Sequence, residues 1–513
     1  MKKVLVLSAS DGHNDSRVFK QVKALKNNGF DVEMISRATE KFPETHVHQG
    51  VTIHRLDVFA KSLPSQKSIE MAGQLLSSSP IEGKVKDYLT IYKSLHSSLA
   101  KLDDCVATIK KVRPKFDSGS QLLRELRENR SKNPFKFIAC KLRAFCLRPS
   151  VTVDRRKLVR AQRGRDQHRA ILEKYEGEVK ANISDINFFL RPFWTYQVIA
   201  KAFNVDFFKK FDVIHVHDIF PLVAGYALAK EAGARLIYDA HEIEPERVPP
   251  LPDDRKNFVI ALENSILPYT SKLITVGHEC ENYYQNNYKL NSSGVIFNSP
   301  ITKVVSEPRD IKQELGFDEG KKVLLYVGAV GSAGRGLDKV IAALPMLSED
   351  ICLVVLGPRH KINDAKIKRN AVELNVAHRL ILLPPVNHEI LVAYIESADV
   401  GVCPIQDISL SYRYSMPNKL FEMAFAGIPI CCSALPEMQK FVESHRIGKA
   451  FNEKDPASIA ATVKQVLANR ERYSLDGPSI TSLKNKYSWE AQESNLVNFY
   501  NEVFEVDNPF QVT

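Results

Sequence analysis

The chain has 513 residues, which is more than a single hydrophobic core usually organises, so we expect at least two domains. Its composition, 44% hydrophobic and 26% charged, is ordinary for a soluble globular protein. No apolar run approaches the roughly 20 residues that span a bilayer. The short apolar run at residues 4–7 favours a buried strand over a signal peptide, so the expected location is the cytoplasm.

The net charge of +11 is concentrated in one segment. Residues 61–201 contain 29 Lys and Arg against 14 Asp and Glu, whereas the rest of the chain contains 42 against 46. Within this segment, residues 134–148 interleave apolar and basic side chains at roughly helical spacing, as in a helix lying on a membrane surface. Two interpretations stay open: residues 111–169 contact an anionic membrane surface, or they form a solvated helical insertion. No nucleic-acid-binding motif is present, so nucleic acid is not an expected partner.

The cysteine and histidine patterns predict no metal site. The eight cysteines show no C-x-x-C spacing, which favours buried thiols over a zinc site or a disulfide framework. His215 and His217 are neighbours at the end of a predicted strand. No cysteine or carboxylate cluster of metal-binding type is evident near them in the sequence.

The predicted elements open with a strand at residues 4–8, a loop at 9–14 and a helix from about 15 to 28, which Gly29 ends. Strands at 31–36 and 51–56 complete the opening of a doubly wound α/β fold. A mainly helical stretch, about 66–205, then intervenes. The alternation resumes with predicted strands at 213–216, 235–238, 272–276 and 294–297 and a helix at 222–231.

A second α/β unit begins at residue 322. Its predicted strands are 323–327, 352–356, 381–383, 400–403 and 430–432, and its predicted helices are 337–347, 388–397, 417–426 and 456–469. A glycine-rich turn, residues 328–336, follows the first of these strands. A long amphipathic helix at 489–504 closes the pattern.

These elements predict an α/β protein with two Rossmann-like domains that face a cleft and a large basic helical insertion in the first domain. The expected boundaries are 1–58 and 206–300 for the first domain, 59–205 for the insertion, 301–480 for the second domain, and 481–513 for a C-terminal helix that packs back toward the first domain. Ligands of such sheets bind beyond the carboxyl ends of the strands, where most of the candidate polar residues lie.

The most informative motif is Ser-Met-Pro-Asn-Lys-Leu-Phe-Glu at residues 415–422. Pro417 suits the first turn of a helix, because its missing N–H costs nothing there. The unpaired N–H groups of that turn, the helix dipole and Lys419 predict an anion pocket. Glu422, about one turn further, is placed to accept hydrogen bonds from sugar hydroxyls. A diphosphate joined to a ribose fits this motif, and an ordinary capped helix is the alternative.

Three further positions join this motif. Gly12 lies in the first strand–helix turn, where a backbone can approach a ligand closely. His241 follows the predicted strand at 235–238, and Arg335 lies in the glycine-rich turn. That turn lacks the lysine and hydroxyl of a P-loop, and neither half shows a clean G-x-G-x-x-G. Both absences weigh against an ATPase and a dinucleotide oxidoreductase.

Together, these motifs resemble glycosyltransferase family 4, whose members have the two-Rossmann GT-B fold. The resemblance covers about residues 1–58 and 206–505 and rests on the order and spacing of short pieces. They are DSRV at 15–18, DVIHVHD at 212–218, YDAHE at 238–242, ITV at 274–276, YVG at 326–328, RGL at 335–337, ADV at 398–400 and PNKLFE at 417–422.

The resemblance implies a retaining, metal-independent transfer of a sugar from a nucleotide diphosphate sugar. It implies that His241, Arg335, Lys419 and Glu422 are the catalytic groups, with Arg335 on phosphate, Glu422 on the ribose and His241 facing the donor sugar. The other donor-binding positions would be Gly12, Gly328, Pro385, Val386, Ser415, Met416, Pro417 and Asn418. Two residues depart from the family pattern: Tyr414 replaces the first glutamate of E-x7-E, and Ala329 replaces a frequent arginine. The P-N-K variant itself occurs within the family.

We therefore expect a hexosyltransferase without a cofactor that acts on a saccharide or lipid-linked acceptor in bacterial surface polysaccharide or glycolipid synthesis. Its expected place is peripheral, on the inner face of the cytoplasmic membrane. Asp218 and Glu242 are acceptor-side candidates, with purely structural roles as the alternative. A nucleotide-sugar epimerase or a glycosyl phosphorylase of the same fold, and a non-catalytic membrane-associated scaffold, are the other functions left open.

Overall fold

The structure is a computed structural model that describes residues 1–11, 16–58, 65–91, 94, 97–98, 101, 155–302, 310–331 and 333–511. Gly12 and the basic residues 111–154 therefore lie outside the described part of the chain. Two compact units are present. The larger contains Met1–Ser62, Glu70–Glu82 and Arg191–Thr513, and the smaller contains Leu63–Ile69 and Gly83–Leu190.

The first sheet of the larger unit has eight strands in the order β3-β4-β2-β1-β5-β6-β7-β8. Its strands are β1 (Lys3–Ser8), β2 (Asp31–Arg37), β3 (His46–His48), β4 (Val51–Leu56), β5 (Val213–His217), β6 (Arg235–Asp239), β7 (Lys272–Thr275) and β8 (Ser293–Val295). All neighbours are parallel except the edge pair β3–β4. Its helices are Ser16–Asn27, Val205–Lys209, Leu222–Ala232, Asp253–Ile266 and His278–Asn287, with 3₁₀ turns at Glu244–Glu246 and Leu267–Tyr269. We call this part the first lobe.

The second sheet has six parallel strands in the order β11-β10-β9-β12-β13-β14. They are β9 (Lys322–Val327), β10 (Ile351–Leu356), β11 (Leu380–Leu383), β12 (Val400–Cys403), β13 (Ile430–Ser433) and β14 (Gly448–Phe451). The helices are Ile311–Glu314, Leu337–Ala343, Lys361–Glu373, His388–Ile395, Leu410–Arg413, Asn418–Phe425, Pro436–Ser444, Pro456–Ala468, Arg470–Tyr473 and Gly477–Tyr487, with 3₁₀ turns at Leu344–Met346 and Ala377–Arg379. We call this part the second lobe.

These two parallel sheets with helices between their strands confirm the predicted fold class. The central strands are buried on both faces, which is why they read as continuous apolar runs rather than as alternating patterns. The short edge strands β3 and β14 were not predicted, because each has only three or four residues and no apolar run. The cysteines described as free, Cys280, Cys352, Cys403, Cys431 and Cys432, are all buried, as expected of packed thiols.

The last long helix, Trp489–Glu505, belongs to the core of the first lobe. Its apolar side chains Trp489, Leu496, Tyr500 and Val503 pack in one cluster with strand residues such as Val4. The Tyr500 hydroxyl lies 2.8 Å from Nδ1 of His215 on β5. One hydrophobic core thus contains residues from near both ends of the given sequence, such as Val4 and Tyr500.

The smaller unit is narrower than the expected insertion at 59–205, because residues 70–82 and 191–205 group with the larger unit. Thr195 illustrates the reason, since its hydroxyl donates to the Val58 carbonyl at 3.0 Å. The long helix Arg155–Ala202 contributes to both units and has a non-helical residue, Asn182, with φ −112° and ψ 15°. Within the smaller unit, Lys84 pairs with Asp185 at 3.4 Å. Over the described residues, every helix is too short or too polar to cross a membrane.

Candidate active site

The carboxyl ends of the second-lobe strands bring several sequence-predicted residues to one edge. Gly328 directly follows β9, Gly357 follows β10, and Pro385 comes shortly after β11. The two backbones approach closely here: a Cβ on Gly357 would lie 2.3 Å from the Gly328 carbonyl oxygen. Such a bare backbone edge is where ligands of open parallel sheets bind.

Lys419 brings a buried ammonium group to this edge. Its residue is only 7% exposed, and Nζ lies 4.0 Å from the centre of the Tyr326 ring. A Cβ on Gly328, whose φ is +131°, would lie 3.1 Å from Nζ, so a side chain there would crowd the ammonium group. None of the ion pairs found among the described residues involves Lys419. A buried cation without a carboxylate partner is costly, and a bound anion would offset that cost.

Arg335 supplies a second cation. Its guanidinium carbon lies 5.7 Å from the centre of the Tyr412 ring, and Nε is buried with no hydrogen-bond partner among the described residues. The next residue, Gly336, has φ +68°, and a Cβ there would lie 1.8 Å from the Pro404 carbonyl oxygen. Only glycine fits this turn, and the turn sets where Arg335 emerges.

The Cys403 thiol is influenced by the positive charges of both Arg335 and Lys419. Burial raises the pKa of the Cys403 thiol to about 11, and the charges of Lys419 and Arg335 oppose that rise. Both cations are therefore within electrostatic reach of the same buried sulfur atom at the end of β12. The geometry provides two positive charges beside one glycine-lined backbone edge.

Glu422 lies one helical turn beyond Lys419 and is 7% exposed. Burial raises its pKa to about 7, while the charges of Lys419 and Lys20 oppose the rise. Lys20 belongs to the first-lobe helix Ser16–Asn27, and its ammonium group donates to the Ser299 carbonyl at 2.7 Å. Positive charges from both lobes therefore stabilise the ionised form of the Glu422 carboxyl group.

The segment before this helix is positioned by its own hydrogen bonds. The Ser415 hydroxyl donates to the Tyr412 carbonyl at 2.8 Å, and Met416 packs into the second-lobe core. The helix begins at Asn418, and Pro417 is its N-cap with an extended backbone (φ −77°, ψ 143°). Pro417 therefore stands one position before the first turn in which the sequence placed it.

A pocket of about 330 Å³ lies at the end of β11. Pro385 and Val386, two of the predicted donor-binding residues, both line it. The complete lining is Glu314, Leu383, Pro384, Pro385, Val386, Asn387, Ile390 and Tyr394. Glu314 and Tyr394 were not predicted, since they come from two helices that only the tertiary fold brings beside this loop.

The two departures from the family pattern have visible structural roles. Tyr414 takes part through its backbone, because its carbonyl accepts a hydrogen bond from the Cys280 thiol of the first lobe at 3.5 Å. The Ala329 carbonyl accepts a hydrogen bond from the Tyr326 hydroxyl at 3.2 Å. Tyr326 is the ring under Lys419, so this bond fixes the surface on which the ammonium group rests.

The lobes meet near the site through further hydrogen bonds. The Ser411 hydroxyl donates to the Ile243 carbonyl at 3.0 Å. The Glu437 carboxylate accepts the Glu279 backbone N–H at 2.6 Å, at the start of the first-lobe helix His278–Asn287. The first contact holds the loop after β6 beside the segment that precedes Lys419, and the second joins the helices His278–Asn287 and Pro436–Ser444.

In the first lobe, His241 lies among polar groups at the ends of β5 and β6. Its ring is 19% exposed. Nδ1 lies 3.4 Å from an Asp218 carboxylate oxygen, and Nε2 lies 3.1 Å from Nδ1 of His217. Asp218 is 39% exposed and has φ +65°, an uncommon backbone state for a residue with a side chain. His241 and Asp218, both predicted, are therefore neighbours.

Glu242 belongs to a second cluster of carboxyl groups, in the loop after β6. Burial raises the pKa of Glu242, with Arg247 opposing and Asp218 adding to the rise. The adjacent Glu244, which the sequence did not single out, pairs with Arg247 at 2.6 Å, and burial raises its pKa to about 8. Burial therefore works against ionisation of both carboxyl groups, while the Arg247 guanidinium favours their charged forms.

Asp239 corrects one prediction of the sequence. A carboxylate was not expected near His215 and His217, yet Asp239 is the register partner of His217 across β5 and β6. The three side chains offer ligand atoms within 4.8 Å of one another. However, Arg17 binds both Asp239 oxygens, at 2.7 and 3.3 Å. A guanidinium group on the only carboxylate of the cluster favours a hydrogen-bonded network over a metal site.

Comparisons with known proteins fit this arrangement. Residues 157–298 match Glycosyltransferase Family 4, and residues 308–475 match Glycosyl transferases group 1. The chain has the domain pair of a GT-B glycosyltransferase. It is 24% identical over 332 residues to an uncharacterised glycosyltransferase of Methanocaldococcus jannaschii. The aligned region covers 62% of this chain and 82% of that relative.

Two solved structures share the GT-B fold. Sucrose-phosphate synthase from Thermosynechococcus elongatus aligns with a TM-score of 0.63 and 14% identity over 99% of this chain and 100% of its own. Anabaena HepE in complex with UDP and glucose aligns with a TM-score of 0.57 and 12% identity over 98% of this chain and 100% of its own. At such identities the likeness concerns the fold alone.

Proposed function

We propose that this GT-B glycosyltransferase transfers a hexose from a nucleotide diphosphate sugar, with retention and without a metal, to a hydroxyl group of a saccharide or lipid-linked acceptor. The observation that carries the proposal is the pair Lys419 and Arg335 at the end of β9. One ammonium group is buried without an ion pair, and one guanidinium nitrogen is buried without a hydrogen-bond partner among the described residues. A diphosphate supplies the negative charge and the acceptor atoms that these groups lack.

The geometry suggests how each group serves the reaction. Cleavage at the anomeric carbon leaves negative charge on the departing diphosphate, which Lys419 and Arg335 stabilise. Two fixed positive charges serve where a metal ion would otherwise neutralise the leaving group. Glu422 holds ribose hydroxyls, and the pocket beside Pro385 and Val386 takes the base. His241 and Asp218 lie on the first-lobe side, where the acceptor hydroxyl approaches.

A panel of donors measured by thermal shift tests the donor class. We expect uridine diphosphate sugars to raise the melting temperature, because Anabaena HepE, which shares the fold, was solved in complex with UDP and glucose. A ligand at 100 times its dissociation constant stabilises the folded state by about 2.7 kcal/mol, so a specific donor gives a clear shift. The shift should persist in EDTA, and product analysis by NMR should show the donor's anomeric configuration.

Matched ligands sharpen the panel. Guanosine and adenosine diphosphate sugars report on the base, and NAD⁺, which also carries a diphosphate, reports on the sugar-nucleotide requirement. The proposal fails if no nucleotide sugar shifts the melting temperature, or if NAD⁺ shifts it as strongly. An acceptor-independent change of the sugar would identify an epimerase, and a strict need for free phosphate would identify a phosphorylase.

We further propose that the protein works as a peripheral protein at the cytoplasmic membrane face, in surface polysaccharide or glycolipid synthesis. The support is the charge of residues 61–201, which include 29 basic and 14 acidic side chains. Each basic group near an anionic surface contributes on the order of 1 kcal/mol, so binding should be strong at low salt. The protein should sediment with vesicles containing phosphatidylglycerol, not with phosphatidylcholine vesicles, and should be released by high salt. Equal recovery with both vesicle types would contradict this proposal.

A further inference from the structure

A continuous line of polar side chains runs through the interior of the first lobe. It starts at Arg17 on the helix Ser16–Asn27, passes Asp239 and His217 at the ends of β6 and β5, and reaches His241. Arg17, His217 and Asp239 are buried, whereas His241 is partly exposed. The line therefore connects a sealed interior to a residue of the candidate active site.

Asp239 is the fixed acceptor in this line. One oxygen accepts from Arg17 at 2.7 Å, and the other accepts from the Gln21 amide at 2.6 Å and from Nε of Arg17 at 3.3 Å. Burial alone would raise the Asp239 pKa, but the adjacent Arg17 guanidinium and the His217 side chain hold that pKa well below its usual range. Asp239 is consequently an ionised carboxylate, which accepts hydrogen bonds and donates none.

The position of Asp239 decides which nitrogen of His217 carries the proton. Nδ1 of His217 lies 3.4 Å from Asp239 Oδ2 and 3.1 Å from Nε2 of His241. A lone pair on Nδ1 would face the negative Asp239 carboxylate, so Nδ1 of His217 carries the proton and donates it to the nearer acceptor, Nε2 of His241. The other nitrogen, Nε2, is buried and has no partner among the described residues, so moving the proton there would gain no hydrogen bond.

The same constraint passes to His241. Its Nε2 faces a donor N–H and is therefore the acceptor, which leaves the proton of the neutral ring on Nδ1. Nδ1 points to Asp218, whose carboxylate oxygen lies 3.4 Å away. The buried residues thus select one of two tautomers and one ring orientation at the surface of the site.

We propose that Arg17, Gln21, Asp239 and His217 are positioning residues that fix the tautomer and the ring orientation of His241, so that its Nδ1–H orients Asp218 toward the acceptor hydroxyl. This inference rests on the proposed transferase function. None of the four residues contacts the reacting atoms; each acts through His241.

Nitrogen-15 NMR of the full-length protein with labelled histidine tests the tautomer without any substrate. The His241 signals are assigned by comparison with His241→Gln. In the wild type, Nδ1 of His241 should be protonated and Nε2 unprotonated. His217→Ala should lose this preference, whereas His217→Asn should retain it, because the asparagine amide reaches the place of Nδ1. A His241 ring protonated on Nε2 in the wild type would overturn the proposal. So would stoichiometric zinc in the purified protein, because a metal-bound Nδ1 of His217 carries no proton.

Kinetics provide the second test. His217→Ala should lower kcat on the order of 100-fold with little change in the donor KM, since a small misplacement of a catalytic group has an effect of that size. His217→Asn should recover part of the loss. His215→Asn is the matched control, because His215 is equally buried on the same strand but contacts Tyr500 instead of His241.

The outcomes separate this inference from the proposed function. Wild-type protein without any transfer activity would refute the function, whereas the tautomer experiment would still report on His241. An unchanged kcat in His217→Ala, or an equal fall in His215→Asn, would overturn the positioning role alone. If His217→Ala does not fold, the comparison of His217→Asn with His215→Asn decides in the same way.

Discussion

Replacing Lys419 by methionine is expected to lower kcat/KM for sugar transfer by about 100- to 1,000-fold, the effect of removing one preorganised electrostatic group from a transition state. Methionine keeps most of the length and the apolar stem of the side chain, so most of the packing over the Tyr326 ring is retained. The change removes the charge that faces the leaving diphosphate. It also removes a buried cation without an ion pair, so the unliganded variant should be at least as stable as the wild type.

The measurement is steady-state transfer with the donor found in the thermal-shift panel, together with the melting temperature without ligand. Lys464→Met is the matched control, because Lys464 is exposed on the helix Pro456–Ala468. Arg335→Ala should also lower kcat/KM, because it removes the second positive charge. It also removes the buried Nε that has no hydrogen-bond partner among the described residues. A Lys419→Met variant with wild-type kcat/KM would remove the observation on which the proposed function depends.

Replacing Glu422 by glutamine is expected to change how stability and donor binding depend on pH. Burial raises the Glu422 pKa from 4.5 to about 7. Between these values the unfolded chain loses a proton that the folded protein keeps, so this group's contribution to stability falls as the pH rises from about 4.5 to about 7. Above that window the loss of stability amounts to roughly 3 kcal/mol. Glutamine does not titrate, so the variant does not lose this stability as the pH rises.

The melting temperature of Glu422→Gln, relative to the wild type, should therefore rise across this pH window. Donor binding should change in the other direction, because the ionised carboxylate binds the donor better than an amide does. Above pH 7 the variant should bind the donor about 10-fold more weakly, since a hydrogen bond to a charged group contributes about 1.5–3 kcal/mol. Glu443→Gln is the control, because Glu443 is exposed and outside the site. Parallel melting curves of Glu422→Gln and the wild type at every pH would show that Glu422 is not a buried titrating group.

The sequence was sufficient for the fold class and for several of the clustered residues, because these depend on local patterns. Apolar runs of four to six residues mark the central strands, and the piece around Lys419 carries its proline, its cation and its carboxylate within a few positions. Arg335 was accessible for the same reason, since Gly336 beside it signals a turn.

The network of Arg17, Gln21 and Asp239 was out of reach because it depends on pairing across more than two hundred positions. His217 and Asp239 become neighbours only through the register of β5 with β6. An alignment of the ends of these two predicted strands would have been the signal. Glu314 in the pocket beside Pro385 and Val386 was missed for a similar reason. Glu244 was missed because its pairing with Arg247 forms in a loop without a periodic pattern.

The packing of the helix Trp489–Glu505 into the first lobe has a consequence for biosynthesis. Strands β1 and β2 leave the ribosome before the second lobe does, but Tyr500, which closes their core, is made almost five hundred residues later. During translation the second lobe can fold on its own while the first waits with an apolar surface uncovered. Nascent chains of this protein should therefore depend on chaperones until this helix has been made, and premature termination before Trp489 should leave the first-lobe sheet the less stable of the two.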